Sequence, residues 1–199
     1  MSNARLSDQD ILERFRGVVA ASLSIDPASI TEDAYLDDLG AESLDLLEIS
    51  IETENAFHIL LPETNIFEAA ATVFGPGVLY KDGILTDEGV RLLRQRMPEV
   101  RVPEDGGVRL ADVRRASMRV GAWVRLIRFL VEQRPQVCPA CAVDLVGGTP
   151  GRVKCQKCGT EYDIPLGDAV NRAWVDEYRR THHTPSTDAA PGATRPAEA

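Results

Sequence analysis

Four cysteines stand in this chain, and all of them fall in "CPACAVDLVGGTPGRVKCQKC". Their spacing is Cys-x2-Cys-x13-Cys-x2-Cys, with Cys138 and Cys141 as one pair and Cys155 and Cys158 as the other. No other feature restricts the fold so tightly. Each close pair can turn two thiols toward one point, and the residues between the pairs suit a hairpin with its tip at "GGTPG". Four thiolates in a tetrahedron form the closed structural site that Zn2+ favours. Two disulfides and a redox pair are the competing readings. The N-terminus "MSNARLSDQD" lacks the apolar core of a signal peptide, so the default compartment is the cytosol, where thiols stay reduced. A redox motif has no need of two matched pairs. One structural zinc on Cys138, Cys141, Cys155 and Cys158 is therefore expected, with no open position for catalysis at the metal.

Charge divides the chain in two. Net charge is −9, yet residues 1–70 carry 3 basic and 15 acidic side chains and the remainder 19 basic and 16 acidic. An acidic first part repels nucleic acid and steers basic protein surfaces toward itself. Arg152, Lys154 and Lys157 near the cysteines are basic, but no aromatic is interleaved with them, so a nucleic-acid-binding module is a secondary reading. No apolar run reaches the roughly 18 residues of a membrane span.

Periodicity predicts mostly helix. "DQDILERFRGVVAASL" places apolar residues at 11, 12, 15, 18, 19 and 23, a helical stripe opened by acids. A long loop follows, pinned by Ile25, Ile30, Leu36 and Leu39, and a second helix is expected from Ser43 to about His58, stopped by Pro62. "TNIFEAAATVF" and "LTDEGVRLLRQRM" read as short helices, the latter capped by Thr86. From Leu110 to Arg134 one short helix turns into a longer one near Ser117–Arg119. Its six arginines read as a solvated face. A last helix is expected around Trp174, and the tail from Thr181 lacks apolar content and reads as disordered. His58, His182 and His183 offer no catalytic arrangement, and "GPGVLYKDG" lacks the spacing of a phosphate-binding loop.

Most distinctive in the first part is "DDLGAESLDLLEIS", which starts a helix on a hydroxyl among carboxylates. Ser43 reads first as a helix N-cap. Asp45, Glu48 and Glu52 fall at i, i+3 and i+7 and line one face, with Asp38 and Glu42 at its head, while Leu44, Leu47, Ile51 and Phe57 are expected inward. The positive end of the helix dipole also suits a phosphate ester on Ser43.

At these residues the chain resembles acyl carrier proteins, whose motif is Asp-Leu-Gly-x-Asp-Ser-Leu. "DLGAESLDLLEISIETENAFHILLP" carries the likeness, with Phe57 and Pro62 at the family's places after Ser43. Upstream, "ILERFRGVVAASLSIDPASITEDAYL" is similar to the family's first helix and loop, and "DVRRASMRVGAWVRLI" to its third helix and the start of its fourth. Glu42 stands where the family usually has Asp. The resemblance implies 4′-phosphopantetheine on Ser43, attached by a phosphopantetheinyl transferase. It also implies acyl thioesters delivered to enzymes with basic docking patches, which meet Asp38, Glu42, Asp45, Glu48 and Glu52. The chain itself would be a carrier serving fatty-acid, lipid or polyketide-type biosynthesis, not an enzyme. A carrier-fold interaction protein without the arm is the alternative. "CGTEYDI" likewise resembles the second knuckle of zinc ribbons, although Ala142 stands where the first knuckle often has glycine.

The expected fold is mainly α: a four-helix acyl-carrier-type bundle over residues 1–134, with an inserted helical segment at about 63–109. A small zinc-ribbon β module at 135–166, a short helix at 167–180 and a disordered tail at 181–199 complete it. The ribbon reads as a structural or docking module.

Overall fold

The structure, a computed structural model, describes residues 6–98, 100–103, 107–145, 147–149 and 151–182. Most of the expected tail, from residue 183 on, lies outside the described residues. In chain order the elements are α1 (Asp8–Leu23), α2 (Ser43–Phe57), α3 (Ile66–Phe74), β1 (Tyr80–Lys81), β2 (Ile84–Leu85) and α4 (Asp87–Arg96). They continue with α5 (Leu110–Ser117), α6 (Val120–Gln133), β3 (Gly148–Thr149), β4 (Arg152–Lys154), β5 (Glu161–Asp163) and α7 (Gly167–His182). The fold is mainly helical, with two small antiparallel sheets.

Local chemistry fixes where α1 starts. The Ser7 hydroxyl accepts the Asp10 N–H at 3.1 Å, and the Asp10 carboxylate takes the Ser7 N–H at 2.8 Å. This reciprocal cap satisfies donors that a first helical turn leaves without partners. The apolar stripe of α1 then buries Ile11, Leu12, Phe15 and Val19 against α2 and α6. Phe15 stacks on Trp123 with centroids 5.4 Å apart. The loop between α1 and α2 is zipped to the start of α6. Leu36 N–H donates to the Met118 carbonyl, Val120 N–H to Ala34 and Gly121 N–H to Glu32, each at 2.9 Å. Ile30 and Leu36 are fully buried beneath it.

A second core forms from α3, the β1–β2 hairpin, α4, α5 and α7. The hairpin turns on Asp82 and Gly83, both at positive φ, the backbone that a tight two-residue hairpin turn demands. Thr86 caps α4 by accepting the Gly89 N–H at 3.1 Å, as its sequence predicts. Within this core Tyr178 donates to the buried Glu88 at 3.0 Å, and Arg91 donates to the other Glu88 oxygen at 2.5 Å. Burial, followed by that carboxylate contact, pushes the Tyr178 phenol up to about 12.

α7 is the tie between the parts. It follows the cysteine module in sequence yet packs on α3, burying Val175 and Tyr178 in the second core. It runs to His182, whose ring stacks on Tyr178 at 4.7 Å, so the helix reaches two residues beyond its expected end. At its other end Asp168 accepts the Glu63 N–H at 3.1 Å, the Thr64 N–H at 3.2 Å and the Thr64 hydroxyl at 2.7 Å. Gly167 lies flat on the chain that leaves α2. A Cβ there would come within 2.6 Å of the Leu60 carbonyl oxygen. Alanine normally strengthens a helix by about 1 kcal/mol over glycine. Gly167→Ala is expected to do the reverse, destabilising by about 1–3 kcal/mol through overpacking. A urea melt reads the sign, and a raised midpoint refutes the contact.

The cysteine module has a third, small core of Cys138, Leu145, Val153, Cys155 and Ile164. Its sheet order is β3-β4-β5, all antiparallel, with Val153 opposite Tyr162.

Candidate functional site

Ser43 is the first residue of α2, and Glu42 occupies the N-cap. The expected cap on Ser43 is therefore corrected by one residue. The Glu42 N–H donates to the Asp45 carboxylate at 2.7 Å, the bond by which a third helical residue reaches back to the cap, and the Ser43 hydroxyl has no part in it. This frees the Ser43 hydroxyl, which is exposed and makes no hydrogen bond among the described residues. The dipole of a fifteen-residue helix presents its positive end at this oxygen. A hydroxyl with no intramolecular partner, at a site that favours negative charge, is fit to bear a phosphodiester.

The inward face of α2 differs from the expected one. Ile49, Thr53 and Phe57 are buried, with Leu46 partly so, whereas Leu44, Leu47 and Ile51 are 81%, 58% and 48% exposed. The sequence holds two apolar stripes at helical spacing, and the stripe through Phe57 meets the core because Phe57 itself is buried against α1. Leu44, Leu47 and Ile51 form an apolar strip at the surface, beside the exposed Glu48 and Glu52. Asp45, half-buried, is engaged at the cap. Asp38 is paired with Arg115 at 3.1 Å, and Asp37 with the same guanidinium at 3.2 Å.

The arginines of α5 and α6 are not a free solvated face. Arg115 holds Asp37 and Asp38 and lies 4.7 Å over the Tyr35 ring. Arg119 pairs with Asp33, and Arg128 with Asp8. Arg134 donates to the Phe57 carbonyl at 2.5 Å and so covers the end of α2. The acidic first part and the basic helices answer each other within one chain. Arg115 is held above its usual pKa by its Asp38 hydrogen bond and both aspartates.

His58 ends α2 with a left-handed backbone at φ 50°. Burial, then Arg134 and Arg14, hold its pKa below the usual histidine value, so it is neutral at pH 7. It stands a helix length of about 22 Å from Ser43 and takes no part in chemistry there.

The second site is the thiol cluster. Cys138, Cys141, Cys155 and Cys158 are free thiols whose sulfurs all lie within 4.8 Å of one another. Zn–S bonds of about 2.3 Å in a tetrahedron put sulfurs about 3.8 Å apart. The Cys138 and Cys158 sulfurs are 3.8 Å apart. Ala142 adopts φ 52°, the left-handed turn for which glycine is the usual residue, and its N–H donates to the Cys138 carbonyl at 2.8 Å. Gly159 fills the matching place after the second pair, at φ 74°. Hydrogen bonding with the Thr160 side chain and backbone pulls the Cys158 thiol down to about 6, while contact with Cys158 and burial push the Cys141 thiol up to about 12. Thiols this close cannot share negative charge equally unless a cation joins them. Donor type, count and spacing all fit a soft tetrahedral ion.

The surroundings of Ser43 define a class of protein. A family model described as "Phosphopantetheine attachment site" matches residues 13–73, which include α1 from Glu13 on, the zipped loop and all of α2. An acyl carrier protein of Caulobacter vibrioides (strain NA1000 / CB15N) is 47% identical over 55 residues, covering 27% of this chain and 70% of that protein. One of Guillardia theta is 36% identical over 59 residues, covering 29% and 73%, and one of Phenylobacterium zucineum (strain HLK1) is 46% identical over 55 residues, covering 27% and 70%. The chain belongs to the acyl carrier protein family. No solved structure matches it. The family model stops at residue 73, so α4, the thiol cluster and α7 lie outside it. Among the described residues no helix is long and apolar enough to cross a membrane.

Proposed function

We propose that the chain carries acyl groups as thioesters on a 4′-phosphopantetheine arm joined to Ser43, and delivers them to enzymes of fatty-acid, lipid or polyketide-type biosynthesis. The observation that carries this reading is the unbonded Ser43 hydroxyl at the head of α2, inside the family-matched segment. When bound, the arm supplies a terminal thiol for the thioester. The chain's part is to hold the Ser43 oxygen exposed at a helix N-terminus and to present the surface beside it. On this reading the carrier domain spans residues 1–134 and includes the segment at about 63–109. Residues 135–166 form a zinc ribbon, and 167–180 the helix that returns from it. Cys138, Cys141, Cys155 and Cys158 hold one structural Zn2+.

The docking surface is the apolar strip of Leu44, Leu47 and Ile51 with Glu48 and Glu52 as its acidic border. Glu42 lies at its head, while Asp38 and Asp45 contribute through charge that the chain already engages. An apolar centre with a charged rim suits brief, salt-sensitive association with a phosphopantetheinyl transferase and with acyl-transferring enzymes that carry basic patches. Leu47→Asp is expected to leave the thermal midpoint unchanged, since the side chain is at the surface. Arm transfer should slow by about tenfold or more, the effect of losing a central contact of about 1.4 kcal/mol. Unchanged transfer kinetics move the docking surface elsewhere. The whole reading is tested by intact-protein mass spectrometry of chain purified from its own host, where the arm and any acyl group add directly to the mass. A bare chain under all growth conditions refutes carriage.

A further inference from the structure

Four thiolates around one dication leave two negative charges in excess, and the protein around such a site has to take them up. Water does this for a sulfur at the surface. It cannot do so at Cys138, which is 0% exposed. The Arg152 guanidinium is engaged with Glu161 and Asp163, and Lys154 and Lys157 stand in water, where their charge is screened. The excess at Cys138 therefore falls to hydrogen bonds.

Three donors reach the Cys138 sulfur. Two are the backbone N–H groups of Ala140 and Cys141, which that loop supplies whatever side chains stand in it. The third is the Tyr162 phenol, whose oxygen lies 3.1 Å away. Its approach is set by the sheet. Tyr162 is the middle residue of β5, paired with Val153 of β4, and it faces inward while Glu161 and Asp163 face out. It stands 24 residues from Cys138 and so ties the last strand of the module to the first pair of ligands.

Thr160 serves the other pair. Cys155 N–H donates to the Thr160 carbonyl and Gly159 N–H to the Cys155 carbonyl, each at 2.9 Å. This turn leaves the Thr160 hydroxyl 3.2 Å from the sulfur of the exposed Cys158. The buried Cys155 sulfur accepts the Cys158 N–H at 3.5 Å. Toward a thiolate, which has no proton, the two hydroxyls can only donate.

We propose that Tyr162 and Thr160 are positioning residues of the metal site, whose O–H groups donate to the Cys138 and Cys158 thiolates and so tighten the hold on zinc. The inference rests on the zinc reading for the ion, and on the two hydroxyl–sulfur contacts for its chemistry. Loss of such an outer partner weakens metal binding by about 10–100-fold. Tyr162 has the larger effect, because its sulfur is buried, whereas water can take the place of Thr160 at the exposed Cys158.

The test uses the full chain, with zinc and with cobalt(II) as a coloured substitute. Competition with a chelator should show zinc held about tenfold or more less tightly in Tyr162→Phe, which keeps the ring and its packing. Thr160→Val should weaken it by a smaller factor. In the cobalt-loaded chain the sulfur-to-metal charge-transfer band should move to longer wavelength in Tyr162→Phe, since a thiolate without its donor gives up an electron more readily. The ligand-field bands should stay tetrahedral. A purely structural role for the ring leaves the charge-transfer band where it is. Equal zinc affinity in Tyr162→Phe, or weaker binding with an unmoved band, therefore overturns the inference. The native chain gives a reading that needs no variant. Loaded with a spin-active cadmium isotope, it should show scalar coupling from the metal through the Cys138 sulfur to the Tyr162 hydroxyl proton. Absence of that coupling, with the proton exchanging as in free tyrosine, overturns the inference as well. A native chain that takes up neither zinc nor cobalt refutes the zinc reading itself. One that binds zinc equally well with and without the two hydroxyls refutes only the part given to them.

Discussion

Ser43→Ala should abolish arm attachment completely while leaving the fold as it is. Both halves follow from the position of the hydroxyl. It makes no hydrogen bond among the described residues and is exposed, so its removal uncovers no buried partner. Alanine is also a better helix former than serine, and a surface change of this kind stays within about 0.5 kcal/mol. Co-expression with a broad-specificity phosphopantetheinyl transferase should add the mass of one arm to the native chain and nothing to the variant. Several other serines are already engaged. Ser7 is bound to Asp10, Ser29 to the Asp26 carbonyl, Ser50 to the Leu46 carbonyl and Ser117 to the Arg114 carbonyl. An arm that persists in Ser43→Ala overturns the assignment. Matching melts for the two proteins establish that loss of the arm is chemical and not the result of unfolding.

Helix positions were legible because caps and spacing are local. Thr86 and the apolar stripe of α1 announce their helices in a handful of residues, and the structure has them there, while the Ser7 cap of α1 was not read from the sequence. The orientation of α2 was not legible, because "SLDLLEISIETENAF" holds two apolar stripes and only packing against α1 chooses between them. The hairpin at Asp82-Gly83 was missed although its signal was present: an Asp-Gly pair between Tyr80-Lys81 and Ile84-Leu85 predicts the turn that both adopt. The return of α7 onto α3 could not be read at all. Val175 and Tyr178 signal a helix with an apolar face, but nothing local says that the face belongs to a core begun a hundred residues earlier. The same holds for the arginines of α5 and α6, whose partners Asp8, Asp33, Asp37 and Asp38 are distant in sequence. Ser43 and the four cysteines were named from sequence because each belongs to a short motif. Tyr162 belongs to none, and only the fold brings its hydroxyl to Cys138.

Removal of the metal should unfold the cysteine module and leave the rest of the chain folded. The module's core is five residues, and two of them, Cys138 and Cys155, are thiols. So little apolar surface cannot offset the conformational entropy of ordering the segment without a staple. Structural zinc in finger peptides contributes about 10–16 kcal/mol, far more than such a core. Metal analysis is therefore expected to find one zinc per chain, lost in Cys155→Ser and on treatment with a strong chelator. α7 should survive this loss. Its anchors are Asp168 on the Glu63–Thr64 backbone, Tyr178 on Glu88, and Val175 in the second core, and none of them is in the module. Amide exchange should thus quicken across residues 137–164 while α3, α4 and α7 keep their protection, and arm transfer to Ser43 should proceed at the native rate. A metal-free chain whose β4–β5 pairing stays protected would show that the four thiols need no ion. Loss of α7 along with the module would show instead that the metal holds the second core as well.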